Sequence, residues 1–107
     1  MMRIGYFALT EQGFALARRL NEQWPGEIFP KADLKQHMEE AWGRLDALVC
    51  VMAAGIVVRH MAPLLRGKDK DPAVIVMDIR GQWVISLLSG HLGGANELAA
   101  RLAEVTG

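Results

Sequence analysis

The sequence has one cysteine in 107 residues, Cys50, so no internal disulfide can form and a reducing compartment, the cytoplasm, is the expected location. It also lacks any excess of charge. Twelve Lys and Arg stand against twelve Asp and Glu, which removes the broad field that would draw in nucleic acid or an anionic membrane surface. Any anion site must therefore be local. No apolar run approaches the roughly 18 residues that cross a bilayer, and the apolar part of residues 1–9 is too short for a signal peptide. Aromatic residues are few, 7%, and the three tryptophans fall at element ends as packing rather than as a stacking platform. His37, His60 and His91 with Cys50 show no metal-ligand spacing, so no protein-bound metal or cofactor is expected. What the chain does contain is 51% hydrophobic residues with only 22% charged ones, the composition of a folded globule. Its length allows a single domain, residues 1–107.

Apolar spacing divides the chain into alternating strands and helices. Residues 3–8 form a short apolar run, and Thr10 can cap a helix that places Phe14, Ala17, Leu20 and Trp24 on one side, until Pro25-Gly26 ends it. Residues 27–30 fit a brief edge strand. Asp33, three residues before Gln36, has the form of a capping box, and Leu34, Met38, Ala41, Trp42 and Leu45 continue a helical stripe. The valine-rich run at 46–52 has the character of a strand covered on both faces. Residues 56–65 follow as a helix that Pro63 must kink, split or end, and 66–72 form a charged, solvated loop. Two further apolar runs, 73–79 and 83–88, are separated by only Arg80-Gly81-Gln82, which predicts an antiparallel hairpin. Ala95, Leu98, Ala99 and Leu102 mark a terminal helix. The expected fold is a three-layer α/β domain with a mostly parallel sheet, Rossmann-like or flavodoxin-like, and one antiparallel pair near 73–88.

In such sheets ligands bind beyond the carboxyl ends of strands, which selects residues 9–11, 53–55, the loop after Arg66 and residues 89–94. The segment Ser89-Gly90-His91-Leu92-Gly93-Gly94-Ala95-Asn96-Glu97 is the richest. Its glycines let a ligand approach the backbone, the helix start offers free N–H groups, and the His91 imidazole titrates near neutrality. It carries neither a P-loop nor a dinucleotide fingerprint. Ala53-Ala54-Gly55 opens a second helix start, with Arg59 as a fork for carboxylates. Thr10 stands at the end of the first strand, where helix capping alone also accounts for it.

The runs 51–59, 62–65, 68–78 and 85–99, above all Leu88-Ser89-Gly90-His91-Leu92-Gly93-Gly94-Ala95-Asn96, resemble the amino-terminal domain of the CbiG family. Thr10 and Gly13 fit that family's opening strand and helix. The resemblance implies a role in cobalamin (vitamin B12) biosynthesis: opening of the δ-lactone of cobalt-precorrin-5A with release of acetaldehyde, giving cobalt-precorrin-5B. It also implies that the chain is the first part of a longer hydrolase, with the middle and carboxy-terminal regions of that family as its partners. Cobalt would arrive inside the corrinoid substrate. On this basis His91 is expected to act as general base, assisted by Asn96 or Glu97, with the Gly93 and Gly94 amides as oxyanion donors. Thr10, Gly55, Arg59, Ser89, Gly90, Gly93 and Gly94 are expected to contact the substrate. The alternatives are a corrinoid-binding module without chemistry of its own, or a module that docks to neighbouring enzymes of the pathway.

Overall fold

The computed structural model describes residues 2–89 and 95–106. The elements follow the chain as β1 (Ile4–Ala8), α1 (Glu11–Gln23), β2 (Glu27–Ile28), α2 (Leu34–Trp42), β3 (Ala47–Val51) and α3 (Ala54–Met61). A 3-10 turn (Ala62–Leu64), β4 (Ala73–Met77), β5 (Val84–Ser89) and α4 (Ala95–Thr106) complete it. They build one sheet of order β2-β1-β3-β4-β5, in which β5 alone runs antiparallel. This is the flavodoxin-like order, with its reversal of winding between β1 and β3.

Alternation along the central strands sorts their side chains into two cores. Tyr6, Ala8, Val49, Val51, Ile75 and Met77 face one side, where Leu16, Ala17 and Leu20 of α1 and Leu98, Ala99 and Leu102 of α4 cover them. Phe7, Leu48, Cys50, Val74 and Val76 face the other, against Met38, Ala41 and Trp42 of α2 and Val57 and Met61 of α3. Both faces being covered explains why β3 and β4 read as unbroken apolar runs. Close approach across the second face depends on Gly5, where a Cβ would come within 2.6 Å of Leu45 Cδ1 and 2.9 Å of Phe29 Cε2. That space admits Phe29, whose ring stacks on Phe7 at a centroid distance of 4.6 Å.

Local signals held or failed for identifiable reasons. Thr10, in extended backbone, accepts the Gly13 N–H at 3.0 Å and caps α1 as its position predicts. Asp33 does not close a capping box. Its backbone is left-handed (φ 58°), its side chain makes no capping hydrogen bond, and its carbonyl takes the His37 N–H at 2.9 Å. Pro63 converts the end of α3 into the 3-10 turn instead of kinking a longer helix. The hairpin link is longer than Arg80-Gly81-Gln82. Residues 78–83 form it, with Asp78 Oδ1 accepting from the Gln82 and Trp83 amides at 2.7 and 3.0 Å and Gly81 at φ 70°. A bulge then sets two β5 residues, Leu87 and Leu88, against the single step Val74–Ile75, and both leucines pack toward the second core.

The charged loop before β4 is not wholly solvated. Asp71 is buried at 7% exposure and accepts N–H groups from the Trp42 indole (3.1 Å), Arg66 (2.9 Å) and Gly67 (3.2 Å). Burial alone would raise its carboxyl pKa, but these donors, with the Arg66 charge, outweigh it and hold the pKa below the usual value.

Candidate functional site

The reversal between β1 and β3 sends α1 to one face and α3 to the other, so that two helix starts flank the sheet beyond Ala8 and Val51, the place where open α/β sheets form their ligand crevice. The floor is set by Gly13, where an added Cβ would lie 3.2 Å from Ala8 Cβ and 3.3 Å from the Val51 carbonyl oxygen. A side chain here would oblige its neighbours to give by a few tenths of an ångström, so glycine favours the close approach of α1 to the two strand ends. Thr10 is exposed on one wall, its oxygen accepting from Gly13 and its O–H left to donate.

The other wall is the start of α3. Its N-cap is Ala53, which has no side-chain acceptor, and the Ile56 and Val57 amides fold back to the Ala53 carbonyl at 3.1 and 3.4 Å. The Ala54 and Gly55 amides have no such partner among the described residues and point off the helix start. Gly55 is exposed, and a Cβ built there meets nothing within 4 Å. Arg59, also exposed, stands one turn further along the same side of the helix. Two amides, a positive helix terminus and a guanidinium therefore share one solvent-facing strip, a suitable recess for a carboxylate. His60 does not join it. Its Nδ1 lies 2.9 Å from the Ile56 carbonyl oxygen, so the imidazole donates back into its own helix.

The remaining candidates lie elsewhere. Because β5 is antiparallel, Ser89 pairs with Ala73 at the amino end of β4, whereas the crevice end of β4 is Met77, paired with Val84. Four residues of strand, about 13 Å at ~3.3 Å each, separate the two ends. The loop after Arg66 and the segment that follows Ser89 thus leave from the end of the sheet opposite Thr10 and Gly55, and the expectation that all four places share the carboxyl end does not hold. His91, Gly90, Gly93 and Gly94 lie outside the described residues, as do the side chains of Ser89, Asn96 and Glu97; Asn96 and Glu97 occupy the first turn of α4. The residue that sequence reasoning missed is Asp71, and the only hint was its place directly before Pro72 and a fully buried strand. Among the described residues no group of three His, Cys, Asp or Glu is placed to hold a metal ion, and no helix is long and apolar enough to cross a membrane.

The family model of the cobalamin synthesis G N-terminal domain matches residues 36–107. The chain belongs to this family. It is 43% identical over 116 aligned positions to the cobalt-precorrin-5A hydrolase of Salmonella typhimurium, with 97% of this chain and 33% of that protein covered. It is 35% identical to the protein of the same name from Priestia megaterium, over 90% of this chain and 30% of that one. Among solved structures, a cobalamin biosynthesis protein G homologue from Sulfolobus solfataricus superposes with a TM-score of 0.80 at 29% identity, covering 96% of this chain and 34% of that protein. The chain spans about a third of the length of the curated relatives it matches. Family and fold therefore agree, and the α3 wall of the crevice and the glycine-rich segment fall within the matched residues, whereas Thr10 and Gly13 precede them.

Proposed function

We propose that this domain is the first part of a cobalt-precorrin-5A hydrolase of cobalamin biosynthesis and that it supplies part of the corrinoid site. The observation that carries the reading is the 43% identity sustained along 97% of the chain with the Salmonella protein of that name. In the reaction, water adds to the δ-lactone carbonyl and the ring carbon–oxygen bond breaks. The freed hydroxyl on the two-carbon arm then loses its proton and collapses to acetaldehyde, and the electron pair of the broken carbon–carbon bond passes into the conjugated macrocycle. Cobalt is carried in as part of the substrate. The protein has to supply a base for water, donors for the tetrahedral oxyanion and a grip on peripheral carboxylates.

His91 is the base in this scheme, the Gly93 and Gly94 amides are the oxyanion donors, and Asn96 or Glu97 orients the imidazole. Ser89 and Gly90 are assigned to substrate contact in the same scheme. The free Ala54 and Gly55 amides with Arg59, and the Thr10 hydroxyl, suit a carboxylate at the crevice. The decisive experiment incubates cobalt-precorrin-5A with this chain alone and with the chain completed by the remaining two thirds of a family member, and measures acetaldehyde. The completed protein is expected to release it, and His91→Ala in that protein is expected to lower the rate by about 10²–10⁴-fold. Undiminished release from the His91→Ala protein would overturn the assignment of the base.

One observation favours a second reading. The crevice and the end of β5 lie at opposite ends of the sheet, so the crevice group can hold the corrinoid while the chemistry occurs on residues of the remaining two thirds. Binding of the intermediate by this chain without acetaldehyde, abolished by Arg59→Ala, together with equal acetaldehyde release by the completed wild-type and His91→Ala proteins, would select that reading.

A further inference from the structure

The two edges of the sheet are built differently. The β2 edge is two residues long, lies between Pro25 and Pro30, and carries Glu27, which pairs with Arg44 at 3.0 Å. Short length, proline and charge are the means by which sheets discourage further pairing. The β5 edge has none of them. From Trp83 to Ser89 the sequence is Trp-Val-Ile-Ser-Leu-Leu-Ser, without charge or proline, and the strand runs for six residues. Its outer side has no strand partner among the described residues.

The faces of β5 differ as well. Val84 packs toward the core that α1 and α4 cover. Ile85 pairs with Val76, whose side chain belongs to the opposite core, so Ile85 and Trp83, two residues before it, face the α2 and α3 side. There they are left open, Ile85 at 45% and Trp83 at 41% exposure, among the most exposed large apolar side chains in the described structure. An unprotected strand edge and an uncovered apolar face thus coincide on one element.

We infer that β5 is the seam on which the rest of the family polypeptide docks: an apolar surface of the remaining two thirds covers Trp83 and Ile85 and presents a strand or loop to the free β5 edge. Three features favour this occupant. The chain corresponds to 33%, 30% and 31% of its relatives, so some two thirds of each polypeptide folds outside this domain. That mass is tethered, which makes the contact intramolecular and favours it over encounter with a second copy. The uncharged edge also offers nothing that would steer a soluble partner of opposite charge. The inference rests on family membership rather than on the hydrolase reading, so an inactive completed protein that still covers β5 would separate the two.

The test compares amide hydrogen exchange at residues 84–89 in this chain alone and in the same chain completed by the remaining two thirds of the Salmonella relative. Exchange of the outward amides is expected to slow at least tenfold in the completed protein. Ile85→Asp should restore the faster exchange there while leaving the thermal midpoint of the isolated chain unchanged, because Ile85 is already half exposed in it. Should the chimaera fail to fold, the whole Salmonella protein compared with its own first third gives the same readout at the equivalent strand. Equal exchange in both contexts would overturn the inference. So would a dimer of the isolated chain, seen by sedimentation and dissolved by Ile85→Asp, because a second copy would then occupy the edge.

Discussion

At the scale of single residues the domain relies on a few polar groups whose partners are fixed. Asp71 gathers the Trp42 indole and two loop amides, so Asp71→Ala strands three N–H groups and is expected to cost about 1–3 kcal/mol in urea unfolding. Thr10→Ala removes the α1 cap and should cost about 1 kcal/mol by the same measurement. Arg59→Ala removes an exposed side chain and should leave stability within about 0.5 kcal/mol, so any loss of corrinoid binding by that variant reports on the site. Gly55→Ala is the sharper probe. With open space around the added methyl it is expected to stabilise by about 0.4–1 kcal/mol, while the same methyl crowds whatever the Gly55 amide receives. The Thr10 cap was legible in the sequence because capping residues follow local rules. Asp71 was not, because its three donors come from α2 and from a loop that only tertiary packing brings together.

At the scale of elements, legibility followed burial. β3 and β4 were readable as continuous apolar runs because helices cover both faces, and α1 and α2 because each buries one stripe. The direction of β5 was also readable, from the short link at 80–82, yet its consequence for the glycine-rich segment needed the register: reversing one strand carries its end to the far side of the sheet. The bulge at Leu87 and the left-handed Asp33 were invisible, since each depends on a pairing or a backbone angle that no residue type announces. Gly5 is the element-level constraint with the clearest penalty. Gly5→Ala drives a methyl against Leu45 and Phe29 and is expected to cost about 1–3 kcal/mol, read as a lowered denaturant midpoint with unchanged slope.

At the scale of the whole molecule, two buried acids set the alkaline limit. The Tyr6 hydroxyl donates to the Trp24 carbonyl at 2.5 Å beneath α1, and burial pushes its pKa up to about 12. Burial likewise pushes the Cys50 thiol up to about 12. Both groups hold their protons longer folded than unfolded, so the stability they confer is complete below the unfolded values, about 8.5 for the thiol and about 10 for the phenol, and is lost as pH rises toward 12. The thermal midpoint should fall through that window, and less steeply in Tyr6→Phe. Asp71 acts in the opposite direction: its lowered pKa gives stability that is present above about pH 3.9 and disappears as the solution becomes more acidic. A last consequence belongs to the reversed fifth strand. Thr10, Gly55 and Arg59 at one pole and the Ser89 backbone at the other are held apart by a sheet packed on both faces, so substitutions at the two poles should add in double-mutant cycles of folding stability to within about 0.3–0.5 kcal/mol. The domain thus has two poles whose contributions to folding are independent, and a substitution tolerated at one is expected to be tolerated whatever stands at the other.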